Sequence, residues 1–89
     1  MSTDHITVYG TTWCGDCHLA RRVLDEYRAD YRWIDISEDP EAADLVVHMN
    51  GGYRSVPTII FPDGSVLVEP SRRELTNHLL AQGNTAGTD

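Results

Sequence analysis

Two cysteines, Cys14 and Cys17, stand three apart in the segment TTWCGDCHLARRVL, with Gly15 and Asp16 between them, where a helical apolar pattern begins. Thiols at this spacing can hold a metal, form a structural disulfide or cycle between dithiol and disulfide. Residues three apart on a helix have Cβ atoms roughly 5–6 Å apart, close enough for a strained but reversible disulfide after small adjustment. Backbone N–H groups at a helix start point outward with partial positive charge and favour a thiolate there. Cys14, at the very start, is therefore the expected nucleophile. Cys17, one turn deeper, can attack a mixed disulfide formed on Cys14 but is less open to an outside partner.

The competing readings are weaker. A disulfide between residues so close in sequence closes too short a loop to constrain the unfolded chain much. A zinc site needs about four ligands, and the chain offers no second Cys-x-x-Cys and no His-x3-5-His, so no metal is expected and His18 reads as a surface helix residue. Two buried cysteines acting as small apolar residues fit poorly with Trp13, Gly15 and Asp16 around them. Asp16 has two effects: a carboxylate near Cys14 opposes the thiolate, whereas an acid in the first turn interacts favourably with the helix dipole.

The elements that must position these thiols follow from the pattern of the chain. HITVYG (5–10) reads as a buried strand feeding directly into the cysteine pair. Leu19, Ala20, Val23, Leu24 and Tyr27 then recur at helical spacing, with Arg21, Arg22, Asp25, Glu26 and Arg28 on the other face. YRWIDI (31–36) reads as a second strand, parallel to the first through a crossover helix. A second helix follows, with acids and Pro40 at its start and Asn50-Gly51-Gly52 at its stop. PTIIF and SVLVE, joined by Pro62-Asp63-Gly64, predict an antiparallel hairpin. Ser71 and Glu74 stand at capping-box spacing ahead of a third helix that stops at Gly83. The order β-α-β-α-β-β-α predicts one α/β domain over residues 1–82 and a frayed tail over 83–89.

With 89 residues, the chain has room for one core but not two. Fourteen acidic against seven basic residues give a net charge of −7, which repels a nucleic-acid backbone. No apolar run approaches a membrane span, and MSTDHITVYG lacks the basic start and long apolar segment of a secretory signal. The expectation is a cytoplasmic monomer that binds neither nucleic acid nor membrane.

Taken together, TTWCGDC after a strand, NGGYRSVPT before the hairpin and DGSVLVEPS in and after it resemble glutaredoxins, most closely the mycoredoxin-type glutaredoxin-like proteins of actinobacteria. The likeness runs from Ile6 to Leu80. It implies a thioredoxin-like fold, with a four-stranded mixed sheet and three flanking helices. It also implies that Cys14 is the exposed nucleophile, Cys17 the resolving thiol and Pro57 a cis-proline facing them. The Val56 backbone would pair with the bound thiol like an added strand. Trp13 would wall the groove, while Tyr9, in the buried strand, reads as core. Arg54 would meet an anionic or polyhydroxylated thiol, or else serve only to solubilise the chain.

The activity so implied is reduction of mixed disulfides between proteins and a low-molecular-weight thiol, with no bound cofactor and with mycothiol or glutathione as cosubstrate. Two departures favour mycothiol, a sugar-linked cysteine derivative without the carboxylates of glutathione. Glu69-Pro70-Ser71 replaces the turn that binds the γ-glutamyl end of glutathione, and Thr-Thr-Trp replaces the lysine that commonly precedes the motif. Asp16 is a third departure, since relatives usually carry an aromatic or apolar residue there. The alternatives are a thioredoxin-like donor reduced directly by a flavoprotein reductase, and a carrier of a [2Fe–2S] cluster held by Cys14 of two chains and bound thiol.

Overall fold

Period-two apolar residues and helical stripes sort into the order β1 (Ile6–Gly10), α1 (Gly15–Glu26), β2 (Tyr31–Asp35), α2 (Pro40–Met49), β3 (Thr58–Ile60), β4 (Val66–Val68) and α3 (Arg72–Gln82) in a computed structural model that describes residues 5–82. The tail expected over 83–89 lies outside the described residues. The sheet runs β2-β1-β3-β4. β1 and β2 are parallel, with Val8 opposite Trp33 and Gly10 opposite Asp35, while β1–β3 and β3–β4 are antiparallel. This is the thioredoxin-like fold with a four-stranded mixed sheet and three helices.

Alternation along the central strands divides the core in two. Ile6 and Val8 of β1 and Ile59 of β3 pack with Phe61 against Ala20, Val23 and Leu24 of α1 and Leu75 and Leu79 of α3. On the opposite face, Tyr9 joins Ile36 and the buried side of α2, Ala42, Ala43 and Val46. α1 and α3 therefore share one face of the sheet, and α2 covers the other.

Each helix start has its own cap. Asp39 caps α2, its Oδ1 accepting from Ala42 N at 3.1 Å, and Pro40 takes the first turn, where a missing N–H costs nothing. α2 stops at Asn50, followed by Gly51 at φ +67°, a left-handed position suited to glycine. α3 opens with a reciprocal capping box: Ser71 N donates to Glu74 Oε1 at 2.8 Å, and Glu74 N donates to Ser71 Oγ at 3.1 Å. The hairpin strands are shorter than the predicted five-residue runs. Pro57 has no N–H to give the ladder, and Glu69, at φ +48°, turns the chain out of β4. Among the described residues, no helix is long and apolar enough to cross a membrane.

Candidate active site

β1 ends and α1 begins within a few residues, and Cys14 occupies the junction as the N-cap of α1. Its φ of −88° and ψ of 114° are extended, as a capping residue requires. The sulfur does the work of the usual cap oxygen, accepting from Cys17 N at 3.1 Å. The same thiol reaches across to the loop before β3, donating to Val56 O at 3.7 Å. Cys14 is half-buried, whereas Cys17 is 0% exposed, and both are free thiols. Burial, followed by the hydrogen bond with Cys14, pushes the Cys17 thiol up to about 12; the negative charges of a Cys14 thiolate and Asp16 add to this, while the Thr11 backbone opposes it. One sulfur is open to a partner, and its neighbour stays a buried thiol at neutral pH.

The structure brings together Cys14, Cys17, Val56 and Pro57. Pro57 is buried, Val56 is half-buried, and the peptide bond between them is cis. The loop leading to them is braced from α2: Asn50 Nδ2 donates to Thr58 Oγ1 at 3.2 Å, and Thr58 Oγ1 donates to Ser55 O at 2.6 Å. Trp13, beside Cys14 in the chain, is 73% exposed, and Asp16 lies exposed in the first turn of α1. Arg54 is exposed in the same loop as Val56 and makes no hydrogen bond or ion pair among the described residues. Tyr9 is buried in the α2-side core.

Four other residues shape the site without having been singled out for it in the sequence. A Cβ on Gly10 would stand 2.6 Å from Cys17 Sγ and 2.7 and 2.8 Å from Trp33 Cη2 and Cζ3, so any larger residue there would force one of these side chains to shift. Trp33 enters from β2 as a half-buried ring, and the Arg21 guanidinium lies over it at 4.3 Å. His18 ties α1 to the preceding loop through a 2.6 Å contact between Nε2 and Thr12 O, where the nitrogen must carry the proton. A glycine closing a strand pattern was the one available signal, because such positions mark close approach.

The geometry can be set beside known proteins. The family model for glutaredoxin matches residues 6–67. A Mycobacterium tuberculosis protein described as a glutaredoxin is 41% identical over 80 residues, covering 90% of this chain and 95% of that protein. Mycoredoxin 1 of Corynebacterium glutamicum is 35% identical over 71 residues, covering 80% of this chain and 87% of its own length. Among solved structures, the thioredoxin-like protein BC3987 superposes with a TM-score of 0.71 at 25% identity, over 81% of this chain and 96% of that one. With a paired thiol at a helix start, a mixed four-stranded sheet and a family match across most of its length, the chain belongs to the glutaredoxins, a family of redox proteins that are in general thiol–disulfide oxidoreductases.

Proposed function

We propose that this protein reduces mixed disulfides between proteins and a low-molecular-weight thiol, with Cys14 as nucleophile. The observation that carries this reading is the double engagement of one half-exposed sulfur: Cys14 Sγ caps α1 at 3.1 Å from Cys17 N and lies 3.7 Å from Val56 O. The attacking species is the Cys14 thiolate. It attacks the small-thiol sulfur of the mixed disulfide; that S–S bond breaks, the target cysteine leaves as a thiolate and takes a proton, and Cys14 keeps the small thiol as a new disulfide. A second molecule of small thiol, or Cys17, then displaces it. The electrons come from the small thiol pool, and no bound cofactor takes part.

The Val56 backbone, beside Pro57, would pair with the chain carrying the sulfur like an added strand, a mode independent of side-chain identity. Trp13 would wall the groove, and Arg54 would offer its donors to the polar end of the small thiol. For that thiol, mycothiol is favoured over glutathione. Glu69 N is bound to Pro57 O at 2.9 Å, so the chain passes one peptide from Val56 into the start of α3. There the Ser71 and Glu74 N–H groups are taken by the capping box, and the same segment carries two exposed acidic residues, Glu69 and Glu74, whose charge disfavours an anionic ligand. A sugar-linked thiol without carboxylates avoids that repulsion. The similarity to a protein named mycoredoxin points the same way. The setting for such chemistry is a reducing one, the cytoplasm, with the protein acting as a monomer.

The test mixes reduced protein with a mycothiol mixed disulfide and, separately, a glutathione mixed disulfide, following the rate and the adduct mass, with Cys14→Ser as control. Fast, mycothiol-preferring exchange that vanishes in Cys14→Ser is expected. Negligible exchange with both would overturn the reading and shift attention to direct reduction by a flavoprotein reductase.

A further inference from the structure

Cys17 is packed tightly among residues of three elements, β1, β2 and α1. Gly10, the last residue of β1, has no side chain, and the space a Cβ would fill is flanked by Cys17 Sγ at 2.6 Å and by the edge of the Trp33 ring at 2.7 and 2.8 Å. Sulfur and ring edge are thereby held within roughly 5 Å of each other, the range of sulfur–aromatic contact. Trp33 is itself held from outside, because the Arg21 guanidinium, one turn along α1 from Cys17, lies 4.3 Å from the ring centroid. The result is a wall closed by a cation–π contact between α1 and β2. It leaves Cys17 wholly buried, although Trp33 and Arg21 are each only half-buried.

We propose that the Trp33 ring, locked by Arg21, is a positioning wall for Cys17, setting how often this thiol leaves its seat to displace a small thiol from Cys14. Resolution requires Cys17 to give up its proton and attack Cys14 Sγ of the adduct: the Cys14–Cys17 bond forms, the bond from Cys14 to the small thiol breaks, and the leaving thiolate takes up a proton. A dry seat disfavours the attacking thiolate. The direction the Cys17 thiol is pushed, up to about 12, agrees with that confinement. With the wall closed, Cys14 holds its adduct long enough for a second small thiol to remove it; with the wall open, Cys17 resolves it first. Trp33 thus partitions the cycle between a one-thiol and a two-thiol route without touching the substrate.

The first readout is alkylation of Cys17 by iodoacetamide in a Cys14→Ser background, which needs no small thiol and so stands apart from the proposed function. Trp33→Ala is expected to speed it about tenfold or more, Arg21→Gln by about two- to threefold, and Trp33→Phe, whose ring is shorter at the edge nearest Cys17, by clearly less than Trp33→Ala. The second readout, in proteins with both cysteines, loads Cys14 with glutathione disulfide and follows conversion of the adduct to the internal disulfide by mass. This arm rests on the proposed chemistry at Cys14. Trp33→Ala is expected to shorten the adduct lifetime several-fold, and Trp33→Phe to shorten it less. Should Trp33→Ala fail to fold, Trp33→Leu and Arg21→Gln carry both readouts. Unchanged alkylation in folded Trp33→Ala or Trp33→Leu, or equal acceleration in Trp33→Phe and Trp33→Ala, overturns the wall. Failure of Cys14 to load while Cys17 alkylation responds would count against the proposed function and leave the wall standing.

Discussion

The starts of α1 and α3 solve the same problem with different atoms. Every helix start exposes N–H groups without intrahelical partners. At α3, Ser71 and Glu74 satisfy two of them reciprocally, at 3.1 and 2.8 Å. At α1 the cap is the sulfur of Cys14, accepting from Cys17 N at 3.1 Å. A neutral thiol is a weak acceptor, whereas a thiolate is a strong, charge-assisted one. The α3 start is therefore already satisfied and gains nothing from a further negative charge. The α1 start relies on a sulfur where the α3 start uses a hydroxyl and a carboxylate, so the two starts differ in the acceptor atom that closes them.

The sharpest way to separate the two starts is Cys14→Ser. Serine is among the preferred caps, so stability should stay level or rise by up to about 1 kcal/mol. Exchange should fall at least about a thousandfold, since the proposed nucleophile is gone. Denaturant unfolding and an exchange assay read the two effects on one variant. A clear loss of stability would mean that the sulfur caps α1 better than a hydroxyl does.

Next in size is the packing beneath α1. Gly10→Ala inserts a methyl 2.6 Å from Cys17 Sγ, and the Trp33 ring blocks the other side. Overpacking of this kind costs about 1–3 kcal/mol, measurable in the denaturant midpoint. A change below about 0.5 kcal/mol would mean that Trp33 swings away freely, which would also weaken the wall proposed for Cys17.

Burial of Cys17 gives the α1 region a pH signature of its own. Its thiol is pushed from 9.0 up to about 12 in the folded protein, so the folded state holds this proton more tightly than the unfolded chain. That contribution to stability is fully present below pH 9 and is lost as pH rises from 9 toward 12. Unfolding free energy measured across that window should decline, and Cys17→Ala should flatten the decline. An equally steep decline in the variant would place its origin elsewhere.

The contrast between the two helix starts also marks what was legible in the sequence. Capping works over three residues, so Ser71 and Glu74, and the cysteine pair itself, could be read from the chain, as could the helical stripes and the order of elements. The α/β fold followed from them. Gly10, Trp33 and Arg21 could not be read as a unit, because they meet only when β1, β2 and α1 are packed. Nothing local distinguishes Trp33 from an ordinary strand aromatic. His18 is the surface helix residue its position suggests, but its contact back to Thr12 O at 2.6 Å depends on the loop geometry before α1 and is not written in the local pattern. The hairpin was over-extended for a local reason that could have been weighed: a proline at its first position cannot donate to the ladder.

Of smaller effect are changes at α3. Ser71→Ala removes the cap oxygen and should lower stability by about 0.5–2 kcal/mol, read in the same denaturant assay. Equal stability would mean that Glu74 alone holds the helix start.

The smallest effect is the most informative about the small thiol. Glu74→Gln can keep the capping box, since glutamine accepts from Ser71 N as glutamate does. What changes is one negative charge at the end of α3 that the Glu69 N–Pro57 O bond, 2.9 Å long, links to the loop carrying Val56. A single solvent-exposed charge several ångströms from an anionic ligand contributes on the order of 0.5–1 kcal/mol, so exchange with a glutathione mixed disulfide should rise about two- to fivefold. Added salt should shrink the gain, because the interaction is screened over roughly 10 Å at 0.1 M. A thiol conjugate without carboxylates should show no gain at all. If both substrates accelerate equally, Glu74 acts through the helix and not through charge; if only glutathione does, the satisfied start of α3 is also the element that turns an anionic thiol away.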